Sequence, residues 1–391
     1  MRTRPALKAP RLDWLLMAAV LALLALGSLL VWSATSARDD LTGGDPSAYF
    51  RRQLVNVAIG LVLMVMVMAT DHRWVRILAP LVYLASVGGL VMVLASGTTI
   101  NGSRSWIQLG SLSIQPAEFA KLAVVIGMAL LVAERAEGRR LHQVTWVDVV
   151  GMLVIAGVPM TLIMLQPDLG TMLVLSATVF GVLAAAGAPR RWLVLLGAGG
   201  VTAAVAAVSA GFLKDYQVDR FLAFTNPDLD PRGAGYNTEQ ARIAVGNGGV
   251  FGEGLFDGSQ TRSGFVPEQH TDFIFTVAGE ELGLVGAGVL IALLGVVIWR
   301  ALQIAFRTDD AFGRVAAAGI ACWFGFQAFQ NIGMCLGIMP VTGVPLPFVS
   351  YGGSSMFATM LAVGLLQNIH LRSTASEPTR FLAAPRVLTK R

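Results

Sequence analysis

The sequence predicts an all-α polytopic membrane protein of about ten transmembrane helices, with a large extracellular loop between the seventh and eighth helices. Two observations carry this prediction. Of the 391 residues, 55% are hydrophobic and only 14% are charged, whereas soluble domains are about one quarter charged. The apolar runs also reach about 20 residues, the length that a helix needs to cross a bilayer.

Apolar runs that are bounded by charges and turn residues give the ten candidate helices. The first run is too long for the apolar region of a signal peptide, so it is interpreted as a retained span. We predict a cytoplasmic segment at 1–13, a ten-helix domain at 14–371 with its large loop at 213–272, and a cytoplasmic tail at 372–391. The predicted spans are 14–34, 53–70, 76–96, 117–134, 147–165, 169–188, 191–212, 273–300, 312–337 and 353–371.

The basic residues predict the orientation of these spans. About two-thirds of the 29 lysines and arginines fall on the side that holds both termini, and basic residues favour the cytoplasmic side. Both termini are therefore predicted to be cytoplasmic. The net charge of +5 is spread between spans and forms no single patch, which argues against nucleic-acid binding.

The extracellular connections at 97–116 and 213–272 are long, and long loops between helices usually carry function. The second is rich in glycine, asparagine, aspartate and proline, so it is predicted to be turn-rich. A short helix is predicted at 238–245 within it.

Charged residues inside predicted spans are the first candidates for a functional site, because each costs a few kcal/mol in hydrocarbon. Glu118 and Lys121 stand three residues apart on one helical face, a spacing that permits an ion pair. Such a pair could lock helix packing or line a substrate cavity. Asp168 begins the sixth span, where it could cap the helix or belong to a site.

Asp272 is the strongest candidate for catalysis. It precedes Phe273, Ile274 and Phe275 where the large loop enters the eighth span. An apolar environment raises the pKa of a carboxyl group towards a value that suits a general base. The alternative is a helix N-cap. His270 could be its hydrogen-bond partner or an ordinary polar residue of the interface.

Several basic residues on the extracellular side run against the charge bias, and arginine suits bidentate phosphate contacts. Each could be an ordinary solvated loop residue. Together they favour an anionic, phosphorylated substrate. They are Arg104, Lys214, Arg220, Arg232, Arg242 and Arg262.

Four segments now carry a family resemblance, and they lie at the extracellular ends of the predicted spans. The chain resembles the SEDS family of shape, elongation, division and sporulation proteins, and its RodA branch more than FtsW. The segments are 102–107 leading to 115–121, 166–171, 267–275 continuing to 280–283, and 340–355.

The resemblance implies a multi-pass protein of the bacterial cytoplasmic (inner) membrane that polymerises lipid II into glycan strands. The role implied is cell-wall elongation and rod-shape maintenance. It also implies a class B penicillin-binding protein as the transpeptidase partner, with lipid II, undecaprenyl-linked glycan and membrane lipid as the other ligands. Asp272 matches the essential acid of the family.

Other site residues follow from the same resemblance and from the charges. Arg104 and the Glu118–Lys121 pair match family positions around an extracellular cavity. Asp168, Arg242, His270 and Ser350 complete the predicted substrate-binding set. We predict no metal-ligand set, although a divalent cation (Mg²⁺ or Mn²⁺) could balance the leaving diphosphate in place of the arginines.

Two other functions fit the same composition. A lipid II flippase would need essential polar groups at the membrane midplane, whereas these motifs cluster at one face. A non-enzymatic scaffold for a penicillin-binding protein would leave Asp272, Arg104 and Lys121 without a purpose.

Overall fold

The computed structural model describes residues 12–100, 103–109, 112–137, 144–209 and 233–375. Its elements are almost entirely helical. In chain order they are α1 Trp14–Ser36, α2 Asp39–Thr42, α3 Ala48–Ala69, α4 His72–Ser96, β1 Thr98–Ile100, β2 Ser103–Leu109, β3 Leu112–Ile114, α5 Pro116–Glu137, α6 Trp146–Leu165, α7 Leu169–Ala186, α8 Arg190–Ser209, α9 Ala234–Asn247, α10 Ser259–Ser263, α11 Ile274–Arg307, α12 Ala311–Cys335 and α13 Gly353–Ala375.

Ten of the described helices are long, and they correspond to the ten predicted spans, so the all-α polytopic fold is confirmed. Seven of them (α1, α3, α4, α5, α6, α7 and α11) are long and apolar enough to cross a membrane. α12 and α13 are less apolar because they carry buried amides such as Gln330 and Gln367. The last residues of the predicted seventh span, 210–212, and the loop segment up to 232 lie outside the described residues.

The side chains that face outward agree with a lipid environment. Leu81 and Leu84 of α4 are 62% and 64% exposed, and contiguous apolar surface of this kind is rare on soluble monomers. α5 is the most enclosed of the seven apolar spans, while α3 and α4 are the least. The centre of the bundle is therefore built around α5, with Trp323 and Phe324 of α12 buried in its core.

Two local features of the loops were not predicted. The connection between α4 and α5 is a three-stranded antiparallel sheet in the order β1-β2-β3. The predicted short helix of the large loop is confirmed as α9, but α10 was missed. Its free amides are capped by the buried Glu280 carboxylate, which accepts from the backbone N–H groups of Gln260 and Thr261 at 2.6 and 3.0 Å.

α11 is broken near its start. Gly283 has φ 64° and ψ −165°, a conformation that only glycine adopts readily. The segment 248–254 fills the break and replaces the lost helical bonds. Leu284 N–H donates to the Gly249 carbonyl at 3.0 Å, and Gly254 N–H donates to the Glu281 carbonyl at 3.1 Å. Irregular backbone is tolerated at membrane depth only when it is paired inside the protein in this way.

The start of α1 and the last turns of α13 lie together at one end of the bundle, which we call the termini end. Asp13 caps α1 by accepting from Leu16 N–H at 3.1 Å. Its other oxygen accepts from Arg300 of α11 at 2.6 and 2.8 Å. Gln367 of α13 exchanges two hydrogen bonds with the Asp13 backbone. One buried carboxylate therefore joins α1, α11 and α13.

Candidate active site

The candidate site lies at the other end of the bundle, which we call the site end, where α5, α7, α11 and α13 begin. The α12–α13 loop, residues 336–352, runs across this end. Three amides of α12 hold it. Gln327 donates to the Pro345 carbonyl at 2.8 Å, Gln330 to Thr342 Oγ1 at 2.7 Å, and Asn331 to the Val344 carbonyl at 2.7 Å.

These amides stand at i, i+3 and i+4, so they share one face of α12. They are fully buried, and the sequence analysis missed them. Their signal was in the sequence, because three amides on one face of an otherwise apolar span indicate a polar partner inside the bundle. That partner is the α12–α13 loop.

Asp272 lies in the turn before α11, half-buried, beside the same loop. Asn331 donates to its backbone carbonyl at 2.7 Å, so one amide fixes both Asp272 and Val344. A Cβ on Gly343 would lie 3.1 Å from Asp272 Oδ2. The missing side chain of Gly343 therefore leaves room for the carboxylate, and its φ of 69° is a second reason for glycine at this position. The N-cap residue of α11 is Phe273, so the alternative of Asp272 as an N-cap is wrong.

Glu118 and Lys121 form the predicted ion pair at 2.7 Å, and both side chains are buried. Lys121 Nζ also donates to Gln327 Oε1 at 2.8 Å, and Trp323 Nε1 donates to the same oxygen at 2.7 Å. The pair therefore reaches the α12–α13 loop through Gln327. These contacts are those of the packing alternative, and direct contact of the pair with substrate stays a prediction.

Asp168 caps α7, as one of its two predicted alternatives proposed. It accepts from the backbone N–H of Thr171 at 2.9 Å and from the Thr171 hydroxyl at 2.8 Å. It also accepts from Gln115 Nε2 at 3.3 Å, which joins the starts of α5 and α7. A Cβ on Gly170 would lie 2.6 Å from the Thr342 carbonyl. α7 therefore begins in close contact with the α12–α13 loop.

His270 connects the turn before α11 to the loop before α13, and Ser350 stabilises that loop. The His270 carbonyl accepts from Tyr351 N–H at 3.0 Å, and Ser350 Oγ accepts from Leu346 N–H at 2.8 Å. Burial lowers the pKa of His270, while Glu268 raises it and Arg38 lowers it further. The imidazole is therefore neutral near pH 7 and can both donate and accept a hydrogen bond.

The predicted basic residues that the structure describes lie on three different elements. The backbone of Arg104 lies in β2, opposite Thr99 of β1, and its side chain is outside the described part. Arg242 is exposed on α9, where its side chain lies near Gly337 at the end of α12. Arg262 is exposed, 3.9 Å from Asp257. Lys214, Arg220 and Arg232 lie outside the described residues.

Metal ligands were tested across the same ranges. The described residues contain no group of three or more His, Cys, Asp or Glu side chains that could hold a metal ion. The divalent cation stays a prediction.

The fold and the site define a polytopic membrane protein with a buried polar network and one half-buried carboxylate at the site end. The sequence matches the FtsW/RodA/SpoVE family, described as cell cycle protein, over residues 13–375. The chain belongs to this family.

Two relatives cover nearly the whole chain. Stage V sporulation protein E of Bacillus subtilis (strain 168) is 37% identical over 361 residues, which is 91% of this chain and 96% of the relative. Peptidoglycan glycosyltransferase MrdB of Escherichia coli (strain K12) is 38% identical over 361 residues, 92% of this chain and 93% of the relative.

Two solved structures have the same fold. One chain comes from work on the structural coordination of polymerization and crosslinking by a peptidoglycan synthase complex. It has a TM-score of 0.75 and 34% identity, and the match covers 93% of this chain and 98% of that chain. The rod shape determining protein RodA of Thermus thermophilus has a TM-score of 0.67 and 30% identity, with 92% and 96% covered.

Proposed function

We propose that this protein is a peptidoglycan glycosyltransferase that polymerises lipid II during cell-wall elongation and rod-shape maintenance. The observation that carries the proposal is the position of Asp272, half-buried beside Gly343 at the site end and fixed through Asn331. Relatives named as peptidoglycan glycosyltransferases support it, since each matches more than 90% of the chain. The sequence Gly-Val-Pro-Leu-Pro at residues 343–347 resembles RodA more than FtsW, which favours a role in elongation over a role in division.

The proposed orientation places the site end outside the bacterial inner membrane and both termini in the cytoplasm. The bias of basic residues towards the termini end supports it. Lipid II would then reach the site end from the outer leaflet, where the polymer is needed.

In the proposed reaction, the carboxylate of Asp272 takes the proton of the sugar 4-hydroxyl of one substrate. The hydroxyl oxygen bonds to the anomeric carbon of the second substrate, and the bond from that carbon to the diphosphate oxygen breaks. One displacement inverts the anomeric centre and needs no covalent intermediate, unlike retaining sugar transfer. A positioned general base contributes about 10²–10⁴-fold to such a step.

The remaining site residues would position the loop and the substrate. The α12–α13 loop would be held beside Asp272 by Gln327 and by the Glu118–Lys121 pair that contacts Gln327. Arg104, Arg242, Asp168, His270 and Ser350 are the proposed substrate-binding residues. The leaving diphosphate would be stabilised by arginine or by a divalent cation (Mg²⁺ or Mn²⁺) that it helps to coordinate.

We propose a class B penicillin-binding protein as the partner that cross-links the new strands. Support comes from the solved chain of a peptidoglycan synthase complex, which shares 34% identity with this one. The clustering of the motif residues at one end of the bundle favours this function over a flippase, which needs its polar groups at the midplane.

The test is polymerisation of labelled lipid II by the purified protein with its partner. Asp272→Ala and the nearly isosteric Asp272→Asn are expected to lose at least about 100-fold in rate, because both remove the base. Asp257→Asn is the matched control, since this exposed carboxylate of the same loop lies 3.9 Å from Arg262. The Asp257→Asn protein should polymerise lipid II at the wild-type rate.

Equal glycan from the wild type and Asp272→Ala would remove the mechanism. If the wild type makes no glycan, the flippase and the scaffold remain. Transport of labelled lipid II across vesicles by the same preparation then separates those two functions.

A further inference from the structure

A second polar feature of the site end is a stripe on α3 that the proposed mechanism does not use. Tyr49, Arg52, Gln53 and Asn56 stand at i, i+3, i+4 and i+7, so they share one face of the helix. The neighbouring Leu54, Val55, Ile59 and Val62 are exposed apolar side chains. A polar face within an apolar span marks a functional surface that faces the protein interior or a cavity.

This polar face is directed at the loop before α13. Gln53 is fully buried and donates to the Ser350 carbonyl at 3.4 Å. Its Oε1 has no hydrogen-bond partner among the described residues. A Cβ on Gly353 would lie 3.2 Å from Asn56 Oδ1. The α3 stripe is therefore a wall of the site end.

Three rings from three separate segments meet beside the stripe. The Tyr49 ring lies 5.0 Å from His270 and 5.0 Å from Tyr351, and His270 lies 5.7 Å from Tyr351. Tyr351 follows Ser350, and His270 stands two residues before Asp272. The aromatic cluster thus adjoins the proposed base from the α3 side.

Arg52 supplies a positive charge at this cluster. Its guanidinium carbon lies 5.7 Å above the Tyr49 ring, and the side chain is exposed. The neighbouring Arg51 pairs with Asp45, and Arg38 pairs with Asp40. Across the described ranges, no carboxylate lies within ion-pair distance of Arg52. Arg52 is hydrogen-bonded to the Tyr351 side chain, and its charge is not neutralised by a carboxylate of the described residues, so it can attract an anionic ligand.

The depth of Arg52 indicates what that ligand is. It lies four residues into α3, about 6 Å along the helix axis from Ala48, so it is near the site end of this span, where the head group of a lipid-linked ligand would lie if that end faces the membrane surface. Arginine binds phosphate oxygens in a bidentate manner. Aromatic rings and hydroxyl groups beside such a charge suit a sugar, which presents both C–H faces and hydroxyls.

We propose that Tyr49, Arg52, His270 and Tyr351 form a subsite for the diphosphate-sugar head group of a polyprenyl-linked saccharide. Arg52 binds the phosphate oxygens, and the two tyrosines contact the first sugar. This subsite rests on the proposed function, since it places a lipid-linked sugar beside Asp272. The sequence motifs placed the binding surface at the starts of α5, α7, α11 and α13. The subsite adds α3 to that surface.

Binding of lipid II in nanodiscs, measured with the intact protein in an Asp272→Ala background, tests the subsite without turnover. Arg52→Ala is expected to weaken binding of lipid II by about tenfold or more, since it removes a charge-assisted contact. Arg52→Lys should recover part of the loss. Arg51→Ala is the matched control, because it removes the same charge one residue away, and it should bind within about twofold of the parent.

Two outcomes would overturn the subsite. One is unchanged lipid II binding by Arg52→Ala. The other is an equal loss of phosphatidylglycerol binding in the same nanodiscs, which would make Arg52 a general lipid contact. Because no turnover is measured, the result stands even if polymerisation fails. In an enzyme that does polymerise, Arg52→Ala should raise KM with little change in kcat.

Discussion

The two ends of α11 accommodate buried polar groups in different ways. At the site end the helix is broken at Gly283, and a separate segment replaces the missing hydrogen bonds. At the termini end the helix is regular and carries Arg300, which pairs with the buried Asp13. Both ends contain buried charge within a membrane protein, and both are held by contacts between segments far apart in the chain.

The Asp13–Arg300 pair and the polar network of the site end differ in how many of their polar atoms form hydrogen bonds. Both oxygens of Asp13 accept hydrogen bonds, and Arg300 also contacts Gln303. At the site end, Glu118 Oε2, Gln330 Oε1 and Asn331 Oδ1 are buried without a hydrogen-bond partner among the described residues. Unused acceptors cost stability.

The largest expected effect comes from adding a side chain at Gly283, where α11 is broken. A Cβ on Gly283 would lie 2.3 Å from the Gly252 nitrogen, and its φ of 64° already disfavours other residues. We expect Gly283→Ala to cost more than about 4 kcal/mol and to yield little folded protein, as measured by thermal unfolding in detergent.

Gly288→Ala is the control for this prediction, since it lies in the same helix and a Cβ there has nothing within 4 Å. It should change stability by no more than about 1 kcal/mol. Wild-type stability in Gly283→Ala would show that the segment 248–254 does not occupy the break.

The spans followed from the sequence because the length of an apolar run decides whether it crosses a membrane. Asp168 as a cap followed from its position before a span. The contacts that complete the site did not, since they join distant residues. Lys121 reaches Gln327, which lies 206 residues later, and no local pattern relates the two. The strands β1 to β3 were missed because they are short, and because the longest of them, β2, does not alternate apolar and polar residues.

The second-largest expected effect distinguishes the two buried ion pairs, Asp13–Arg300 and Glu118–Lys121. Asp13→Asn or Lys121→Met each leaves the other charge buried and unpaired, at a cost of about 3–5 kcal/mol. Replacing both partners should restore much of the stability. We expect Asp13→Asn/Arg300→Met to regain both folding and polymerisation, and Glu118→Gln/Lys121→Met to regain folding while polymerisation stays low.

The double variants are compared by thermal unfolding and by lipid II polymerisation per folded molecule. The exposed pair Asp71–Arg372 at the termini end, at 3.1 Å, is the control, and its removal should cost at most about 1 kcal/mol. Full activity in Glu118→Gln/Lys121→Met would make the two ends equivalent, with both pairs serving packing alone.

The smallest expected effect is the pH dependence that His270 contributes at the site end. Because burial lowers the pKa of His270, the folded protein binds this proton less readily than the unfolded chain does. The contribution of the neutral imidazole is therefore fully present above the unfolded pKa of about 6.5 and is lost as the pH falls below it.

Thermal unfolding between about pH 7.5 and pH 5.5 measures this contribution, and His270→Gln should flatten the decline. Glu268 partly offsets the effect by favouring the proton, so Glu268→Gln should steepen it. A decline in His270→Gln as steep as that of the wild type would contradict this prediction.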